Sequence, residues 1–121
     1  MQAAREAMRR GDPMEAVALS EEVLEEEPGE VDALLLVAEA APAYGHGAVA
    51  LLAADQAERR GGQVGALRAA ALLSLGRLEA ALAESDRVIA GGGEAGIAAR
   101  GLREQVLVRL AASGADGTGA G

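Results

Sequence analysis

The make-up of the apolar residues constrains the fold more than any other feature of this sequence. Half of the 121 residues are apolar, yet the chain has no Phe, Trp or Cys and only one Tyr. Ala, Leu and Val dominate this apolar half, and Ala and Leu are among the best helix formers. Sheets favour β-branched and aromatic residues instead. The composition therefore predicts one small all-α domain.

The composition also argues against several kinds of functional site. Without Cys, the chain has no thiolate metal ligand, disulfide or Cys nucleophile, and a single His cannot build a His-rich metal site. The net charge is −8 and there is no Lys, so the basic surface that nucleic-acid binding needs is missing. We therefore expect no enzyme activity, no cofactor, no metal and no nucleic-acid partner.

The N-terminal residues and the longest uncharged stretch bear on localisation. The chain is charged from Arg5 onward, without the apolar core of a signal peptide. The stretch 40–54 has no charged residue, but it is shorter than the roughly 20 residues of a spanning helix and contains Pro42. We expect a cytoplasmic protein with no membrane partner. The absence of Lys, Asn and Phe, whose codons are rich in A and T, favours a GC-rich bacterial gene.

Gly and Pro divide the chain into segments of helical length. The second segment has the clearest start, with Asp12 as N-cap, Pro13 at the first helical position and Glu15 placed to complete a capping box. The predicted helices cover about 2–10, 13–27, 30–41, 47–60, 63–75, 77–90 and 94–112. We expect a helical domain over 1–112 and a disordered Gly-rich tail over 113–121.

One spacing recurs three times along the chain. Five residues after each of Gly11, Gly45 and Gly76 stands an Ala, and seven residues before each glycine stands another Ala. Such spacing is typical of a helical hairpin, in which the turn needs a residue free of Cβ strain and the two helices meet at small residues. Because one hairpin cannot bury its apolar face alone, we expect neighbouring hairpins to stack.

The recurring residues resemble the tetratricopeptide repeat family. The matching residues are Gly11-Asp12-Pro13-Met14-Glu15-Ala16 with Val23 and Pro28, then Gly45 with Ala50 and Ala57, then Gly76-Arg77-Leu78-Glu79-Ala80-Ala81 with Val88. The resemblance covers about residues 1–93, and 94–112 resembles the helix that closes such arrays. It implies an α-solenoid of three antiparallel helical hairpins plus a C-terminal closing helix. It also implies a protein-protein interaction scaffold or adaptor that binds a peptide or partner helix in a concave groove.

The resemblance also implies which residues face that groove, because the first helix of each hairpin lines it in the family. The ten groove candidates are Arg5, Met8, Arg9, Asp32, Leu35, Glu39, Gln63, Ala66, Ala70 and Leu73. In this interpretation the aliphatic members supply affinity, and the charged members set the charge preference. The alternative is that the apolar members pack on an adjacent helix, another chain or a missing repeat.

Two other functions remain open at this point. Such repeats are often attached to transferase or kinase domains, so the chain could be a regulatory or scaffolding segment of a larger enzyme. It could also be a self-associating structural module in which the open ends of the hairpin array stack on other copies. The identity of any protein or peptide partner does not follow from the sequence.

Three further patterns are interpreted as structural. Residues 91–96 match GxGxxG, but helical spacing precedes them, so they are interpreted as a turn between helices. His46 is interpreted as a turn residue, since no partner pattern for base catalysis accompanies it. The acidic cluster is interpreted as a solvated helix face, with attraction of a basic partner or divalent cation as the alternative. It comprises Glu21, Glu22, Glu25, Glu26, Glu27, Glu30 and Asp32.

Overall fold

The computed structural model describes the backbone of residues 1–120 and the side chains of residues 1–113, and this part of the chain is helical without strands. Its helices are α1 (Gln2–Arg9), α2 (Pro13–Glu26), α3 (Val31–Ala40), α4 (Gly47–Arg59), α5 (Gly65–Ser74), α6 (Leu78–Gly91) and α7 (Gly93–Ala120), with a 3₁₀ helix (Ala41–Tyr44) after α3. The all-α class is confirmed, and the predicted helices are all present. The backbone of α7 continues as a helix through residues 113–120, where the sequence predicts a disordered tail, and the side chains of 114–121 lie outside the described residues.

The three recurring glycines form the same turn. Gly11, Gly45 and Gly76 have φ angles of 78°, 86° and 74°. No atom lies within 4 Å of where a Cβ would stand, so these turns need glycine for its backbone conformation rather than for space. The residue after each glycine donates its N–H to the carbonyl five residues earlier, joining Asp12 to Ala7, His46 to Ala41 and Arg77 to Leu72 at 2.9 to 3.0 Å. This Schellman pattern ends one helix and directs the chain into the next.

The alanines that recur with these glycines are buried. Ala16, Ala50 and Ala81, five residues after the turns, are each 0 % exposed. The alanines seven residues before the turns are buried as well. Small side chains at these points let the two helices of a hairpin approach closely. The burial is what the hairpin interpretation predicts.

The helices pack in a regular order. Each helix packs against the next in the chain, and among the odd-numbered helices α1 also packs against α3, α3 against α5 and α5 against α7. Over the described residues, the backbones of α2 and α4 do not approach each other, and neither do those of α4 and α6. The odd-numbered helices therefore lie side by side, while the backbones of the even-numbered ones stay further apart.

The core falls into two clusters of mostly small side chains. The larger cluster joins α1 to α4 and extends to Val64 and Ala71 around α5. The smaller one joins α5, α6 and α7 through Leu72, Leu73, Ala81 and Val106. Over the described part of the chain, no helix combines the length and the apolar character needed to cross a membrane. The second cluster shows that α7 packs against the core residues of α5 and α6.

The start of α2 differs in one detail from the sequence prediction. Asp12 is the N-cap as predicted, since its Oδ1 accepts a hydrogen bond from the Glu15 N–H at 3.1 Å. The prediction of a reciprocal hydrogen bond from the Asp12 N–H to the Glu15 carboxylate is wrong. The Asp12 N–H donates to the Ala7 carbonyl in the preceding turn, and the Glu15 carboxylate accepts from Arg10 at 3.1 Å. The Asp12 N–H is already engaged by the turn hydrogen bond to Ala7, so it cannot complete the capping box.

Candidate interaction surfaces

The structure brings two of the predicted groove residues into direct contact. The Arg5 guanidinium of α1 lies 3.3 Å from the Asp32 carboxylate of α3, and both side chains are more than half exposed. An exposed pair of this kind contributes less than about 1 kcal/mol to stability. The ion pair does show that the candidate faces of α1 and α3 lie side by side.

The other groove candidates on α1 and α3 are near the surface. Met8 and Leu35 are half-buried and pack against the larger core cluster. Glu39 is exposed. Arg9 is exposed and pairs with Glu6 of its own helix at 3.0 Å. These positions give the α1–α3 face a charged surface with two aliphatic side chains set into it.

The candidates near α5 include one that a partner cannot reach. Gln63 is exposed but precedes α5, while Ala66 and Ala70 are half-buried within it. Leu73 is only 6 % exposed and belongs to the smaller core cluster. Its backbone carbonyl accepts a hydrogen bond from Arg109 of α7 at 3.2 Å. The assignment of Leu73 to the groove surface is corrected, because α7 packs on α5 and covers this side chain.

Arg68 forms an ion-pair network that sequence analysis did not find. Its side chain on α5 is only 15 % exposed, and its guanidinium donates to Asp55 at 2.7 and 3.2 Å and to Glu58 at 2.8 and 3.2 Å. These hydrogen bonds and the charge of Arg68 lower the pKa of Glu58. The signal in the sequence is an arginine on an otherwise apolar helix, after a helix that carries two acids three residues apart. The network holds α5 against α4.

We expect this network to make the stability of the protein depend on pH through Glu58. The pKa of Glu58 is lower in the folded chain than its ordinary 4.5, so the stabilisation is present above that pH and is lost as the pH falls through the folded-state value. The difference in unfolding free energy between wild type and Arg68→Met should therefore shrink on acidification. Urea denaturation from about pH 7 to about pH 3 measures it. Arg59→Met is the control, since the ion pairs of the described residues do not include Arg59, and a pH-independent Arg68→Met difference would contradict the assignment.

A second surface lies in the gap between α2 and α4, on top of α3. We call it the α2–α4 groove, a cavity of about 160 Å³ lined by Glu21, Leu24, Leu34, Val37, Val49, Leu52, Ala53 and Gln56. Val49 and Leu52 are 44 % and 58 % exposed, so both present apolar surface on this side of α4. The sequence does not predict this groove, because the spacing of apolar residues along a helix does not show that α2 and α4 stay apart.

The three patterns interpreted as structural lie at helix ends or on an exposed helix face. Residues 91–96 span the end of α6 at Gly91, the single connecting residue Gly92 and the start of α7, so a helix rather than a strand leads into them and the context of a dinucleotide-binding turn is missing. His46 immediately precedes α4, and its ring lies 4.6 Å from that of Tyr44. The glutamates of α2 in the acidic cluster are exposed, whereas Glu30 caps α3 by accepting from the Asp32 N–H at 3.2 Å. No group of three or more His, Asp or Glu side chains suited to a metal ion occurs among the described residues.

Comparisons with protein-family models, with curated proteins and with solved structures give no match. The likeness to the tetratricopeptide repeat family therefore rests on the recurring residues alone. Two surfaces of the protein are candidates for function, the face of the odd-numbered helices and the α2–α4 groove.

Proposed function

We propose that the chain is a protein-protein interaction module of the tetratricopeptide repeat type. In this proposal its three hairpins and α7 form an α-solenoid, and a peptide or partner helix binds across the odd-numbered helices. One observation carries the proposal. The odd-numbered helices lie side by side, and the first three of them each lead into a glycine turn of the same kind, a packing order that suits a stacked array with one continuous face.

The chemistry of this face suggests how it binds. Arg5, Asp32 and Glu39 form a charged end, and Leu35, Ala66 and Ala70 continue the face as an apolar surface. Aliphatic contacts would supply most of the affinity, and the charged end would fix the orientation and charge preference of the ligand. Leu73 stabilises the last hairpin instead of contacting the ligand.

Replacing Leu35 with Arg should weaken partner binding roughly tenfold or more, because the substitution removes the largest aliphatic contact of the proposed face and adds a charge in its place. Affinity capture from the source cell lysate, followed by mass spectrometry, measures the effect. Met14→Arg introduces the same charge at a 63 % exposed side chain of α2 outside both surfaces and is the matched control. Circular dichroism verifies that both variants are folded. Partners lost with Leu35→Arg and retained with Met14→Arg support the proposal, whereas an identical or empty list for all three proteins contradicts it.

Self-association is the second candidate, and two exposed side chains of α7 favour it. Ile97 and Val108 are 72 % and 67 % exposed. They stand eleven residues apart, which is close to three helical turns, so they share one face of α7. A second copy stacked on this face would bury both. A mass that rises with concentration in sedimentation, and that Ile97→Arg returns to the monomer value, would favour this candidate over a monomeric receptor.

A further inference from the structure

The second helix of every hairpin carries an acid at the same position. Glu21, Asp55 and Asp86 each stand ten residues after their turn glycine. Asp55 accepts hydrogen bonds from Arg68 of α5, and Asp86 accepts one from Arg103 of α7 at 2.6 Å. In two of the three hairpins, an arginine from the next odd-numbered helix therefore neutralises this acid.

Glu21 of α2 has no such partner, because α3, the next odd-numbered helix, carries no arginine. Arg68 stands eight residues before Gly76, and the residue eight before Gly45 is Val37. Over the described residues, no ion pair involves Glu21. Burial and then the uncompensated charge of Glu21 raise the pKa of the Tyr44 phenol. Glu21 is thus the one member of the series without a guanidinium partner in the described part of the chain.

The missing arginine leaves an open apolar groove beside this acid. Arg68 of α5 reaches the acids of α4, where it pairs with Asp55 and Glu58. Between α2 and α4, where no such arginine is present in the described part of the chain, lies the α2–α4 groove, with Val37 in its floor and Glu21 on its rim. Its volume of about 160 Å³ has room for one or two large side chains. The exposed Val49 and Leu52 form the opposite wall.

We propose that the α2–α4 groove is a docking site for a helix of a partner protein that carries an arginine beside aliphatic residues. The partner's arginine would bind Glu21 as Arg68 binds Asp55, and its aliphatic side chains would cover Val49 and Leu52. Glu25, one turn further along α2, is also exposed and adds negative charge on the same helix face as Glu21. From Val49 to Gln56 the groove wall spans about 10 Å, so two turns of a partner helix are enough to contact it. This site is separate from the face of the odd-numbered helices.

A synthetic helical peptide of about 14 residues, with Leu on one face and Arg beside it, is the probe. Fluorescence polarisation measures its affinity for the full chain and for single variants. Glu21→Gln should weaken binding roughly tenfold, as expected for the loss of a charge-assisted hydrogen bond. Glu22→Gln removes the same charge from the adjacent residue, which lines a different cavity between α1 and α2, and should change the affinity less than about twofold. Leu52→Gln should weaken binding without changing the charge of the protein.

Three further measurements test the chemistry and the location of this site. Replacing Arg with Lys in the peptide should weaken binding, because Lys cannot reproduce the two-pronged contact of a guanidinium. The Leu35→Arg variant should bind the peptide as the wild type does, so the groove is tested independently of the proposed function. Val37→Arg, which introduces a guanidinium beside Glu21, should abolish binding, and circular dichroism has to verify that this variant is folded because Val37 belongs to the buried core.

Several results would overturn the proposal. Equal losses with Glu21→Gln and Glu22→Gln would mean that the peptide responds only to the overall negative charge of α2. No binding of the peptide by the wild type would also refute it. A concentration-dependent mass of the protein alone that Glu21→Gln abolishes would identify a second copy of this chain, instead of a different protein, as the occupant.

Discussion

Replacing Ala50 or Ala81 with Leu is expected to lower the melting temperature by about 4 to 12 °C. Both alanines are fully buried at the same position of their hairpins. Protein interiors are packed as densely as organic crystals, so extra methylene groups force the helices apart or push side chains out of their preferred rotamers. Such overpacking costs roughly 1 to 3 kcal/mol, and each kcal/mol shifts the melting temperature by about 4 °C in a domain of this size.

Exposed alanines of the same helices provide matched controls for these two variants. Ala48 of α4 and Ala83 of α6 are exposed, so Ala48→Leu and Ala83→Leu should change stability by less than about 0.5 kcal/mol. Thermal unfolding followed by circular dichroism measures all four variants. If both core variants melt at the wild-type temperature, the assignment of these positions to the hairpin interfaces is wrong.

Local signals predicted most of the helical architecture. The N-cap at Asp12, the stop at Pro28 and the turn glycines each act through the backbone of a few adjacent residues, so they can be recognised without tertiary information. The recurrence of Ala around these glycines then predicted which positions are buried. Ala50 and Ala81 are buried in agreement with this prediction.

The interaction surfaces were less predictable, because they depend on how the helices pack. Leu73 has the spacing of a groove residue, yet α7 covers it, and only the position of α7 reveals this. The exposure of Leu52 likewise follows from the gap between α2 and α4. Arg68 shows the same limit, since its acidic partners lie on another helix. Amphipathic spacing identifies a face of a helix but does not identify what covers that face.

The Gly-to-Ala substitution should have opposite effects at two positions of this chain. At Gly76, which has a φ of 74°, a Cβ would clash with its own backbone, so Gly76→Ala should cost about 1 to 2 kcal/mol and lower the melting temperature by about 4 to 8 °C. Gly101 lies within α7, where its φ is not positive and no atom lies within 4 Å of the place that a Cβ would occupy. Gly101→Ala should therefore stabilise the helix by about 0.5 to 1 kcal/mol.

A third variant separates backbone strain at the turn from a general effect of adding a side chain there. Asn adopts the left-handed conformation more readily than Ala, so Gly76→Asn should destabilise the protein less than Gly76→Ala does. Space around the turn does not account for this order, because nothing lies within 4 Å of the Cβ position and Asn is the larger residue. If Asn proves the more destabilising of the two, a steric contact rather than backbone strain controls the turn. If Gly76→Ala leaves the melting temperature unchanged or raises it, α5 does not end in a left-handed turn at Gly76.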